Sequence, residues 1–202
     1  MGSPGKNYTT LLINDTSTPQ ARWMAREGSA DSYTIEVDFS GANEQSAYYP
    51  GVAYLAGRLA GLVQGGFTFR KCIFTTHGAS GAIKFGTDEL TTYGLYSQFY
   101  DRGFHRLFPT SDATVYFAGC QVAVGTLGWK FLAAAARSLL RGAGGSAVGW
   151  TSDGYKIPFK NAPVHFSGDR RMVWVSQGGD VLRYYENGEL IADGQGYPVS
   201  PF

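Results

Sequence analysis

Cysteine is scarce in this chain, and so are any excess of charge, any long apolar run and any low-complexity tract. Only Cys72 and Cys120 occur in 202 residues, too few for a disulfide scaffold, so a reducing compartment is the simpler expectation. Lys and Arg number 17 against 16 Asp and Glu, a formal net charge of +1. That balance gives no electrostatic footprint for nucleic acid or an anionic membrane surface. No apolar run is long enough to span a bilayer and no charged segment precedes a short apolar one, so neither membrane insertion nor signal-directed secretion is expected and the default compartment is cytoplasmic. The cysteines and the three histidines lack zinc-ligand spacing, and the acidic residues lack the EF-hand pattern. Gly125-Thr-Leu-Gly128 and Gly142-Ala-Gly-Gly145 lack the context of a nucleotide-binding loop. No cofactor or metal is expected.

What is abundant is apolar residues, at 44%, and glycine, at 28 residues. The first supplies a core for one domain over residues 1–202. The second is interleaved with aliphatic and aromatic runs and so marks tight turns rather than disorder. Met1-Gly2-Ser3 reads as a tag remnant, and residues 1–7 are expected to be flexible or tag-derived, outside the fold.

β-branched and aromatic runs predict strands at Tyr8–Asp15, Ser32–Phe39, Lys71–His77 and Ala113–Gly119, with a further core strand over Gly145–Trp150. Apolar residues at helical spacing predict helices over Gly51–Val63, entered through Pro50, and Trp129–Leu140. A small ribbon is expected at Ala82–Phe85. After it the spacing predicts a helix over Asp88–Phe99, with acidic residues in the first turn where the helix dipole favours them. Alternating strands and helices between residues 50 and 150 point to βαβ units and a mostly parallel sheet. The last 35 residues break the rhythm: Arg171–Ser176, Asp180–Tyr185 and Glu189–Ile191 are separated by Gly178-Gly179 and Asn187-Gly188, which are hairpin signals.

Two strand ends carry the chemistry. Lys71-Cys-Ile-Phe-Thr-Thr-His77-Gly78-Ala-Ser-Gly81 ends an apolar strand in a histidine, and Ala113-Thr-Val-Tyr-Phe-Ala-Gly119-Cys120 ends another in a thiol before a glycine-punctuated turn. In an open parallel sheet both fall at the carboxyl edge, where ligands bind. A cysteine beside a histidine can hold a thiolate and act as nucleophile, and histidine can carry a proton near neutral pH. Cys72 lies mid-strand and reads as a buried hydrophobe, and a Cys72–Cys120 disulfide does not suit their different heights. Taken alone, Cys120 would read the same way as Cys72. His105 and His165 read as surface or packing residues.

The order strand, His77-Gly78, helix, strand, Gly119-Cys120, helix resembles the caspase-like (clan CD, caspase-hemoglobinase fold) cysteine peptidases, nearest to bacterial CHAT-type domains. The likeness covers residues 70 to 152 best. Cys120 is followed by Gln121-Val122-Ala123 and lacks the Gln-Ala-Cys-x-Gly string of animal caspases, so their specificity does not carry over. The resemblance implies a three-layer α/β/α fold, a mostly parallel sheet with helices on both faces and a C-terminal antiparallel ribbon. It further implies Cys120 as nucleophile, His77 as proton donor to the leaving amine, and the backbone N–H groups of Gly78 and Cys120 as the oxyanion site. Asp15, Trp150, Ser152 and Asp153 would line the substrate pocket. Acidic groups there would favour Arg or Lys before the scissile bond. Against this, Asp15 reads more readily as a turn-capping side chain, and Asp153-Gly154 also as an ordinary turn pair.

Three functions follow. The first is a cysteine endopeptidase acting on protein or peptide, switched by a regulatory partner or another domain. The second is a catalytically silent binding module on the same fold, within a bacterial multidomain protein. The third is a small doubly wound domain with an unrelated ligand.

Overall fold

The computed structural model describes residues 7–17, 26, 28–37, 51–86, 88–156 and 164–194. In chain order the elements are β1 (Thr10–Asp15), β2 (Ser32–Val37), α1 (Gly51–Gln64), β3 (Lys71–Thr75), β4 (His77–Ala79), β5 (Ala82–Phe85) and β6 (Asp88–Thr91). A run of short helical turns spans Thr92–Leu107. Then come β7 (Thr114–Phe117), α2 (Gly125–Leu140), β8 (Gly145–Trp150), β9 (Gly154–Lys156), β10 (Val164–Phe166), β11 (Arg170–Val175), β12 (Leu182–Glu186) and β13 (Glu189–Asp193).

Eight strands form the main sheet in the order β13-β12-β11-β8-β7-β3-β1-β2. β2, β1, β3, β7 and β8 pair in parallel, and β11, β12 and β13 continue antiparallel from β8. The expected ribbon is therefore joined to the main sheet. Asn187 and Gly188, at φ 52° and 93°, make the tight β12–β13 turn. A separate three-stranded antiparallel sheet, β4-β5-β6, holds the stretch beginning at His77.

Strand alternation assigns the faces. Leu11, Ile13, Cys72, Phe74, Val115 and Phe117 join one core cluster with Val52, Leu55, Ala56, Leu59 and Leu62 of α1 and with Trp129, Phe131 and Leu132 of α2. Phe117 stacks on Phe74 at 5.0 Å and meets Phe131 edge to face at 4.9 Å, and truncating such a ring costs about 3–5 kcal/mol. Leu12, Ile73 and Ala118 face the other way, with Tyr116 and Phe166. Among the described residues both helices lie on one face, so the expectation of helices on both faces is met on that face only. The reason is topological. The crossovers β2 to β3, β3 to β7 and β7 to β8 all step in one direction across the sheet, and right-handed crossovers of one direction share a face. The opposite step, β1 to β2, runs largely through residues outside the described set.

Two expectations are corrected. Asp88 and Glu89 do not open a helix: they sit in β6, and helical backbone starts at Thr92, then passes through a π turn, Leu95–Phe99. Asp88 instead caps α1 from a distance, its Oδ2 accepting the Val52 N–H at 2.9 Å, so the charge does serve a helix N-terminus, though not that of its own segment. Asn7 belongs to the fold, bridging Thr68 and accepting its hydroxyl at 2.7 Å. Residues 1–6, the strand end Asp38-Phe39 and Pro50 lie outside the described residues. No helix among the described residues is long and apolar enough to cross a membrane.

Candidate active site

Because β1, β3, β7 and β8 run parallel, their carboxyl ends bring Asp15, His77, Cys120 and Trp150 to the same end of the sheet. β3 and β7 stay paired past the last ladder position, Ala118 N–H donating to Phe74 O at 2.8 Å. Beyond that the chains remain in contact. A Cβ on Gly78 would stand 2.5 Å from the Cys120 carbonyl oxygen and 3.0 Å from its nitrogen, and one on Gly119 would stand 3.2 Å from the Gly78 α-carbon. At 78 the approach calls for glycine, and at 119 any side chain would push its neighbours back by a few tenths of an ångström. The structure thus joins the His77-Gly78 and Gly119-Cys120 strand ends backbone to backbone.

The turn after Cys120 is held from three sides. From the small sheet, Gly81 N–H donates to Val122 O at 3.0 Å and the Ser80 hydroxyl to Val124 O at 2.8 Å. From the continuation of β8, Ser152 O accepts Gln121 N–H at 2.9 Å and Trp150 O accepts Ala123 N–H at 3.0 Å. From β11, Arg171 Nη1 donates to Ala123 O at 2.8 Å and to Gly125 O at 3.3 Å. With Val124 N–H on Gln121 O at 3.0 Å, every carbonyl from Gln121 to Gly125 is an acceptor. Such a turn holds Cys120 in one place, as a preorganised site requires. Gln121 itself adopts φ 55°, a left-handed conformation that non-glycine residues take at some cost in strain.

The two cysteines are both free and differ in setting. Cys72 is 1% exposed, and burial pushes its thiol well above the ordinary range. Cys120 is half-buried, and its Sγ accepts the Gly154 N–H at 3.3 Å, so a backbone donor points at the atom that would carry charge in a nucleophile.

The expected substrate-binding residues fall into different settings. Asp15 is fully buried, its carboxylate accepting Ser17 N–H at 2.9 Å, the Ser17 hydroxyl at 2.5 Å and Gly86 N–H at 3.3 Å. It is a turn-capping aspartate that ties β1 to the end of β5 and does not line an open pocket. Asp153 is exposed, with Oδ1 accepting Gln121 Nε2 at 3.1 Å. Ser152 Oγ accepts Gly168 N–H at 2.8 Å. The Trp150 ring stacks on Phe166 at 4.4 Å and lies 6.4 Å from Tyr116, over which the Lys71 ammonium sits at 4.8 Å. Trp150, Ser152 and Asp153 thus stand beside the cysteine turn, and Asp15 is set into the fold.

Arg171 was not visible as a site residue in the sequence. It is 11% exposed, paired with Glu186 at 2.7 Å and laid over the Trp129 ring at 4.6 Å while it grips the turn. Its only sequence signal is a charge at the start of an otherwise apolar strand, Arg171-Met-Val-Trp-Val. Gly154 gave no more than the second half of a turn pair. His105 lies in a helical turn against Gly142, and His165 is exposed on β10. Among the described residues no group of three or more His, Cys, Asp or Glu is placed to hold a metal ion. No family model, curated protein or solved structure matches the chain.

Proposed function

We propose that the protein is a caspase-like cysteine endopeptidase using His77 and Cys120. The observation that carries this reading is the close approach of Gly78 to the Cys120 backbone, which joins the strand end that carries a histidine to the one that carries a half-buried thiol, at the ligand-binding edge of a parallel sheet. The parallel order, the antiparallel continuation from β8 and the small sheet that carries His77 support the caspase-like reading of the fold.

In the reaction, His77 takes the Cys120 thiol proton, the sulfur bonds to the scissile carbonyl carbon and the carbonyl electrons move onto oxygen. Backbone N–H groups of Gly78 and Cys120 receive that oxyanion. As it collapses, the C–N bond breaks and His77 gives its proton to the departing amine. Water then adds to the thioester as His77 removes its proton, the C–S bond breaks, and the carboxylate product and free enzyme are restored. Asp153, exposed beside the cysteine turn and bonded to Gln121, would favour a basic residue before the scissile bond, whereas Asp15 would have to release Ser17 and Gly86 to do so.

The test is digestion of a mixed peptide library, with scissile bonds read by mass spectrometry, by wild type, Cys120→Ala and His77→Ala. Loss of cutting in both variants supports the dyad. Cutting that survives both removes it. Absence of cutting by the folded wild type favours the silent binding module.

A further inference from the structure

The small sheet has two unlike faces. Its antiparallel register sets His77 opposite Lys84 and Lys84 opposite Glu89, then Ala79 opposite Ala82 and Ala82 opposite Thr91. Residues directly opposed share a face, as do residues two apart on one strand. One face is therefore Ile83, Phe85 and Leu90, all buried in the core. The other carries His77, Lys84 and Glu89 in one row and Ala79, Ala82 and Thr91 in the next.

That second row is the floor of a groove of about 350 Å³. Its walls are Tyr93 and Leu127, which are 80% and 59% exposed and are the two most exposed large apolar side chains among the described residues. Leu127 is held in place: Gly81, at φ 74°, lies so close that a Cβ there would come within 2.8 Å of the Leu127 Cβ and carbonyl oxygen. The floor is small because both its alanines are. Glu89 stands at the rim and is already paired with Lys84 at 3.0 Å, so no unpaired charge of that pair faces the groove.

We infer that this groove seats an apolar side chain of a peptide whose amino end lies at His77, that is, the first large side chain following the scissile bond. The inference rests on the peptidase reading for its direction. His77 protonates the leaving amine, so the segment that follows the amine passes over the His77 face of the small sheet. The groove floor begins one row further, about 7 Å along the strand, which a large side chain on the first residue spans. Its volume, at the small end of the range of ligand sites, about 300–1,000 Å³, is ample for one large side chain. Two exposed apolar walls beside the two alanines of the floor favour an apolar occupant, which would take their surface out of water.

The experiment uses isotope-labelled Cys120→Ala protein titrated with the tripeptide amides Phe-Ala-Ala and Gly-Ala-Ala, both with free amino ends, and followed by amide chemical shifts. The expected result is saturable shifts at Ala82, Thr91 and Leu127, extending to His77, with the Phe peptide binding at least ten-fold more tightly. Leu127→Asp, and separately Tyr93→Ala, should abolish that preference; both side chains are exposed, so neither change threatens the core. Equal affinity for the two peptides, or a preference that survives Leu127→Asp, overturns the inference. Cleavage by the wild-type protein is scored separately. Groove binding without Cys120-dependent cleavage removes the peptidase reading and leaves the apolar seat, whereas cleavage without groove binding removes the seat and leaves the peptidase.

Discussion

Gly78→Ala is the substitution on which the site geometry can be read most sharply. The added methyl would stand 2.5 Å from the Cys120 carbonyl oxygen and 2.5 Å from Val122 Cγ2, where ordinary contact begins at 3.4 Å. Roughly 0.9 Å must therefore be found, and one of the two neighbours is backbone. The turn carrying it has each carbonyl from Gln121 to Gly125 engaged, so displacement has to move Cys120 or break one of those bonds. Overpacking of this kind costs about 1–3 kcal/mol, or about 2–4 °C in Tm per kcal/mol for a chain of this size. The protein remains folded. A misplacement near 1 Å in an active site is worth about a hundred-fold in rate, so kcat/KM should fall by about that factor. Gly57→Ala is the control: it lies on exposed α1 surface with nothing within 4 Å of an added Cβ, and should raise stability by about 0.5–1 kcal/mol with cleavage unchanged. The assay is cleavage of the best library peptide alongside thermal unfolding. Wild-type cleavage by Gly78→Ala at an unchanged Tm would refute the contact.

Three further outcomes follow from the same structure. Iodoacetamide should modify Cys120 at least ten-fold faster than Cys72, whose buried thiol is held in its protonated form, and both equally after denaturation; equal rates in the native protein would contradict the assignment of burial. Arg171→Met removes the donors to Ala123 and Gly125 and leaves Glu186 without its partner, so it should destabilise by at least about 2 kcal/mol in urea unfolding; Arg171→Lys should not restore it, because an ammonium lacks the planar fork, and full rescue by lysine would show that charge alone suffices. Burial, then Arg141, then Arg106 hold the His105 imidazolium below its ordinary value. The unfolded chain therefore binds that proton at higher pH than the folded one, so this contribution is full above about pH 6.5 and is lost as pH falls toward the folded value. His105→Gln should flatten that part of the Tm profile, and an unchanged slope would dismiss the effect.

The parallel core was legible because its signals are local and periodic. Lys71–Thr75 and Thr114–Phe117 are β-branched and aromatic, and the apolar spacing of Gly51–Val63 and Trp129–Leu140 points to helices. α2 starts earlier than that spacing shows, at Gly125, so Gly125-Thr-Leu-Gly128, which reads as a turn, is its first turn. The pair His77-Gly78 and Gly119-Cys120 was legible for a different reason, since parallel pairing alone brings both strand ends to one edge. Asp88 and Glu89 misled because acidic residues before an apolar run resemble a helix start, whereas the cap that Asp88 provides is to Val52, thirty-six positions away. Asp15 offered two readings to the sequence, and only the Ser17 and Gly86 donors separate them. Arg171 stayed invisible because its role depends on an antiparallel register that no local pattern encodes: β11 must lie beside β8 before its first turn of side chains can reach Ala123.

Under the proposed mechanism Cys120 is the nucleophile and His77 its proton carrier. The most direct measurement is the intact mass of the protein, followed by peptide mapping, after rapid mixing with an activated ester of the best-cleaved peptide. The expected result is one added acyl group, mapped to Cys120, absent in Cys120→Ala and slow to leave in His77→Ala. Acylation mapped to Cys72 or to any other residue, or library cleavage that persists in Cys120→Ala, would contradict it.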